Sequence, residues 1–116
     1  MMDDDVQLRT MMGLMLSGEG YAVSHAKDES TAVSLHRLDP FDLVIIELGM
    51  DGTDAFRTMM ELRRHHDPTR FIATTKMNMP LAKLCEKMAQ QLGAQCVLPK
   101  PFGLEKLLAV VREALD

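Results

Sequence analysis

The chain has 116 residues, 47% of them hydrophobic and 26% charged, with a formal net charge of -4. This length suits one domain with a buried core, and the acidic balance excludes the basic faces that duplex nucleic acid selects. No apolar run approaches the roughly 18–20 residues of a membrane span, and the acidic start at Asp3 lacks the order of a secretory signal, so a cytoplasmic protein is expected.

Asp5 is placed to cap a helix carrying Leu8, Met11, Met12, Met15 and Leu16, which ends near Gly18-Glu19-Gly20. Tyr21 to His25 reads as a short strand. A helix follows, capped at Asp28 or Ser30 and stopped by Asp39-Pro40. Leu43 to Leu48 is the strongest strand pattern, and its continuous Leu/Val/Ile character predicts burial on both faces. Asp54 then caps a helix with Phe56, Met59, Met60 and Leu62 on one face, ended by the polar stretch to Asp67 and by Pro68. Phe71 to Thr75 is the next strand. Pro80 suits the first turn of a helix that runs to Leu92 and stops at Gly93. Gln95 to Leu98 is the last strand, and Leu104 to Leu115 forms a closing amphipathic helix.

Cys85 and Cys96 have neither a metal-type nor a disulfide-framework spacing, and Cys96 reads as a small buried apolar residue. The 11 methionines, with no Trp, fall largely at helical spacing beside Leu and Phe. They read as core filling. His65-His66 lies in a polar stretch and reads as solvated.

With Met1-Met2 as the tail of a first strand, helix follows strand five times. Such alternation predicts an open parallel sheet with helices on both faces, and ligands of these sheets bind at the carboxyl ends of the strands. Asp3-Asp4-Asp5, Glu47, Thr74-Thr75 and Lys100-Pro101 all fall at strand ends. Carboxylates, a hydroxyl and an ammonium on one sheet edge suit divalent-metal and phosphoryl chemistry.

With those residues in place, the chain resembles the receiver domain of two-component response regulators, as an atypical CheY-like member. The likeness covers nearly the whole sequence, so residues 1–116 are read as one receiver domain. It rests on Asp3-Asp4-Asp5 with Leu8-Arg9, Gly18-Glu19-Gly20-Tyr21, Phe41-Asp42-Leu43-Val44-Ile45-Ile46, Gly93-Ala94 and Leu98-Pro99-Lys100-Pro101-Phe102. It implies a flavodoxin-like, doubly wound, five-stranded parallel sheet of order 2-1-3-4-5, here with a truncated first strand. It also implies that Asp3 and Asp4 hold Mg²⁺, Asp4 directly and Asp3 through water, with Glu47 and the Gly49 carbonyl completing the protein's share. Thr75 and Lys100 would contact a phosphoryl group, and the Lys100–Pro101 peptide would be cis, which X–Pro bonds reach at low cost. Expected partners are a histidine kinase or another signalling protein, with a possible homodimer through the Pro80–Leu115 region. No catalytic residue of its own, and no enzyme activity, is expected.

Four departures from the family pattern bear on function. Glu47 stands where the family has its phospho-accepting aspartate. Asp51 replaces the proline usual four residues after the acceptor. Val97 occupies the place of an aromatic whose rotation reports activation in many receivers. Only Met1 and Met2 precede the acidic pair, so an internal strand is nearly absent, which points to a lost or misassigned start. Three extra residues around Lys76 to Pro80 add a further difference in length.

Glutamate adds a methylene and shifts its carboxylate by about 1 Å, an error of position that can cost about a hundredfold in rate. It also carries its charge toward Lys100 and Thr75 without modification. The expectation is therefore a phosphorylation-independent or pseudo-activated receiver. The alternatives are a receiver phosphorylated on Glu47 and a small flavodoxin-like phosphatase. A nucleotide binder is disfavoured because no glycine-rich loop follows the first strand.

Overall fold

Asp5 starts the first helix: its side chain accepts a hydrogen bond from the Leu8 amide at 3.1 Å, which satisfies one of the open N–H groups of the first turn. We describe the fold from a computed structural model, in residues 1–3, 5–49, 53–65, 68–75 and 82–115. Helix α1 spans Val6–Gly18 and α2 spans Glu29–Leu38, the latter capped by Asp28 accepting from the Thr31 amide at 2.8 Å. Strand β1 is Leu43–Leu48, α3 is Thr53–His65 and β2 is Arg70–Thr75. Helix α4 covers Ala82–Gln91, β3 is Ala94–Pro99 and α5 is Leu104–Leu115. Of the two caps offered for α2, Asp28 is the one used. Asp54 lies inside the first turn of α3 rather than ahead of it. Pro80, expected to open α4, lies outside the described residues.

The three strands pair in parallel in the order β1-β2-β3, with Val44 opposite Phe71 and Glu47 opposite Thr74. Both faces are buried, which is why β1 reads as an unbroken apolar run. Val44, Ile46, Leu48, Phe71 and Ala73 pack with Phe56, Met59 and Leu62 of α3 on one face. Ile45, Ile72 and Leu98 pack with Met12 and Leu16 of α1 and Leu107 and Val111 of α5 on the other.

The expected five-stranded sheet is realised as three strands and a remnant. Met2 pairs with Ile46: its amide donates to the Ile45 carbonyl at 2.8 Å, and its carbonyl accepts from the Glu47 amide at 2.9 Å. Met1 in turn bonds the Ser24 carbonyl at 2.7 Å and accepts from the Ala26 amide at 3.1 Å. The spatial order is therefore residues 21–26, Met1-Met2, β1, β2, β3, which keeps the flavodoxin-like sequence of neighbours. Tyr21 to His25 does not form the predicted strand. Its neighbour in the sheet supplies only Met1 and Met2, and a strand edge without a ladder partner has nothing to fix its register.

Arg63 of α3 ties α4 to the sheet. Its Nη1 donates to the Leu92 carbonyl at 2.8 Å and its Nη2 to the Thr69 carbonyl at 3.2 Å, with the guanidinium 5.1 Å above the Phe71 ring. Gly93 follows α4 at φ 105°, and a Cβ there would stand 2.0 Å from Arg63 Nη1. Glycine serves here both for the left-handed backbone and for the room that Arg63 needs. Gly93→Ala should therefore lower unfolding stability by at least about 1 kcal/mol, read from urea denaturation, and Arg63→Met in the same background should recover part of the loss.

Candidate functional site

Three chain segments end at the carboxyl edge of the sheet, and each delivers one charged side chain. Asp3 follows the Met2 pairing, Glu47 is the penultimate residue of β1, and Lys100 follows β3 at a cis Lys100–Pro101 peptide bond. The Lys100 backbone is held in place by its amide, which donates to the Thr75 carbonyl at 2.9 Å. Its Nζ lies 2.8 Å from Asp3 Oδ2 and hydrogen-bonds Glu47 Oε2. Side-chain exposure is 15% for Lys100, 3% for Asp3 and 7% for Glu47, so water screens these charges little. One ammonium thus serves two carboxylates 44 residues apart in sequence.

Asp3 is fixed from a second side. Its Oδ1 accepts from the Asp5 amide at 2.9 Å, and its carbonyl accepts from Arg9 Nη1 at 3.1 Å. The Arg9 contact aligns the start of α1 with the site. Burial alone would depress the Lys100 pKa, but the hydrogen bonds and charges of Asp3 and Glu47 outweigh it and raise the value above the ordinary 10.5. Lys100 is held as a cation throughout the physiological range.

Of the residues singled out in the sequence, Asp3, Glu47 and Lys100 come together. Thr75 is buried beside them at the end of β2, bound to Lys100 through its backbone. Gly49 follows β1 directly, and Val97 is partly buried against the α3-side core. Asp4 and Asp51 lie outside the described residues. The direct Asp3–Lys100 contact was not foreseen, because Asp3 read as a water-mediated metal residue. Thr74 was passed over as well: it opposes Glu47 in the register, is fully buried, and its hydroxyl has no hydrogen-bond partner among the described residues. The doublet Thr74-Thr75 did signal a hydroxyl at this strand end, but a period of two sends the two side chains to opposite faces.

Carboxylate oxygens are the right donors for a hard divalent cation. Among the described residues, however, no group of three Asp, Glu, His or Cys side chains could hold a metal. The two carboxylates that are in place both engage Lys100.

The comparisons with known proteins agree with this geometry. The response regulator receiver domain family matches residues 1–112. This chain belongs to that family. It is 33% identical over 114 residues to the response regulator MprA of Mycolicibacterium vanbaalenii, covering 97% of this chain and 48% of that protein. It is 30% identical to the transcriptional regulatory protein CpxR of Klebsiella pneumoniae, covering 99% and 47%. The chain thus spans about half the length of these relatives. The receiver domain of NtrX from Brucella abortus superposes with a TM-score of 0.86 at 23% identity, covering 98% of this chain and 94% of that one. The chemotaxis protein CheY4 of Vibrio cholerae does so with a TM-score of 0.81 at 27% identity, covering 98% and 94%. Receiver domains are generally non-enzymatic modules of two-component signalling that interact with histidine kinases and commonly bind Mg²⁺ at the phosphorylation site. No described helix is long and apolar enough to cross a membrane.

Removing the ammonium leaves two buried carboxylates facing each other. Lys100→Met should cost about 3 kcal/mol of unfolding stability at neutral pH. In the wild type the Lys100 contribution is complete below the unfolded lysine value of about 10.4 and is lost as pH rises through the higher folded value. Urea midpoints measured from pH 7 to 12 should therefore converge for the two proteins only at the alkaline end.

Proposed function

We propose that this chain is a cytoplasmic receiver module that signals without accepting phosphate, held toward an active-like arrangement by Glu47. The observation that carries this reading is the engagement of Lys100 by the Glu47 carboxylate, with Asp3 as second acceptor. The ammonium that would meet a phosphoryl oxygen is here engaged by side chains of the chain itself. In-line attack on a phosphoryl donor needs the nucleophile, metal and lysine placed in advance. A glutamate carboxylate already bonded to the lysine is displaced from that position and has one oxygen committed.

The mimicry is partial. A carboxylate brings one charge and two oxygens, against nearly two charges and three acceptor oxygens for a phosphoryl group. Val97 lacks the ring that an aromatic switch requires. Mg²⁺ on Asp3, Asp4, Glu47 and the Gly49 carbonyl would have to compete with Lys100 for both described carboxylates, so its binding would be weak.

Signal transfer would then run through surface rather than through chemistry. Leu84 and Met88 on α4 are 53% and 41% exposed, which suits the Pro80–Leu115 region as a homodimer or partner face. Incubation with acetyl phosphate and Mg²⁺ should leave the intact mass unchanged, while Glu47→Asp should gain one phosphoryl group under the same conditions. An acid-labile phosphoryl adduct on the wild-type chain would refute the reading.

A further inference from the structure

The Thr74 hydroxyl is fully buried near the end of β2, and among the described residues it has no hydrogen-bond partner. A donor left unsatisfied in the interior costs free energy. Valine, nearly the same in shape and as well suited to a strand, would avoid that cost. The surroundings of the hydroxyl narrow its use. Thr74 lies opposite Glu47 on β1 and Leu98 on β3. The alternation of side chains places Thr74 and Glu47 on the face of Ile45, Ile72 and Leu98, which packs against α1 and α5. Ile72 and Leu98 are apolar, so the polar neighbour of Thr74 in this row is Glu47.

Adjacent strands lie about 4.8 Å apart, and the rotatable side chain of a glutamate lets its carboxylate swing across that gap. In the arrangement present, the carboxylate is turned toward Lys100, whose Nζ donates to Oε2. The Glu47 backbone does not depend on this contact, because β1 pairs with β2 from Leu43 to Leu48. Loss of the ammonium therefore leaves the carboxylate anchored, only 7% exposed, and with one cationic partner fewer. Thr74 offers a donor on the neighbouring strand. A hydroxyl donating to a carboxylate forms one of the stronger hydrogen bonds.

We propose that Thr74 is a positioning residue for Glu47, idle while Lys100 holds the carboxylate and donating to it when the ammonium is drawn away. Glu47 then has two positions, one at the sheet edge on Lys100 and one over β2 on Thr74. The exchange keeps a buried carboxylate hydrogen-bonded in both, and so lowers the cost of releasing Lys100 to another anion. It rests on the same Glu47–Lys100 contact as the function proposed above, but not on whether Glu47 accepts phosphate. Labelling with acetyl phosphate decides the second point, and a double-mutant cycle decides the first.

The cycle is read as urea midpoints of the intact protein at pH 7. In the wild type Thr74→Val should raise the midpoint, because it removes a hydroxyl without a partner. In the Lys100→Met background the same change should lower the midpoint, because it now removes the donor that holds Glu47. Thr74→Ser keeps the hydroxyl and loses a methyl group, so it should lower both midpoints by the same amount. Should Lys100→Met fail to fold, Lys100→Met combined with Asp3→Asn leaves one buried carboxylate in place of two and carries the same comparison. A purely structural Thr74 would give the same shift with and without Lys100. That result overturns the proposal, as does any pair of signs for Thr74→Val other than a rise in the wild type and a fall without the ammonium.

Discussion

The Lys100 ammonium is the point at which the architecture becomes chemistry. It draws together the side chains of Asp3 and Glu47 at the end of β3, from three segments that the parallel sheet brings to one edge. Two carboxylates so little exposed would repel strongly without it. Their hydrogen bonds also keep the lysine charged despite its burial. The lysine charge is offset twice over by its own neighbours, so the cluster as a whole keeps one negative charge.

The sheet beneath is ordinary in its core and unusual at one side. Three strands with apolar residues on both faces hold α3 against one layer and α1 and α5 against the other. On the far side of β1 only Met1 and Met2 continue the ladder, and the backbone of residues 21–26 follows without strand pairing of its own. The active-site edge is preserved because the two remaining pairs sit at the carboxyl end, next to Asp3.

Much of this was legible in the sequence, and what escaped was mostly non-local. Periodicity and punctuation located the five helices and the three strands, since Asp5, Asp28 and Gly93 act on their immediate neighbours. The apolar run Leu43 to Leu48 announced a central parallel strand. The strand at Tyr21 to His25 was misjudged because its pattern is local while its pairing depends on a partner that is two residues long. At the site, strand-end positions grouped Asp3, Glu47 and Lys100 correctly. The choice Lys100 makes between a ligand and its neighbours depends on side-chain reach, which spacing does not encode. The Asp3 contact and the orphaned Thr74 hydroxyl belong to that class. So does Arg63, an ordinary helical arginine in the sequence that spans α3, β2 and the end of α4 in the fold.

The placement of Asp3 has a dynamic consequence. The segment that carries it is anchored by four backbone hydrogen bonds, each closing a loop of more than twenty residues. Short ladders with distant partners are where proteins open below their global unfolding free energy. Where these pairings open locally, Asp3 would be drawn from Lys100, while Glu47 stays on β1. Local opening would thus take the cluster from a two-acceptor to a one-acceptor state. The electrostatic field at this edge is thereby tied to how firmly the Met1-Met2 pairings hold.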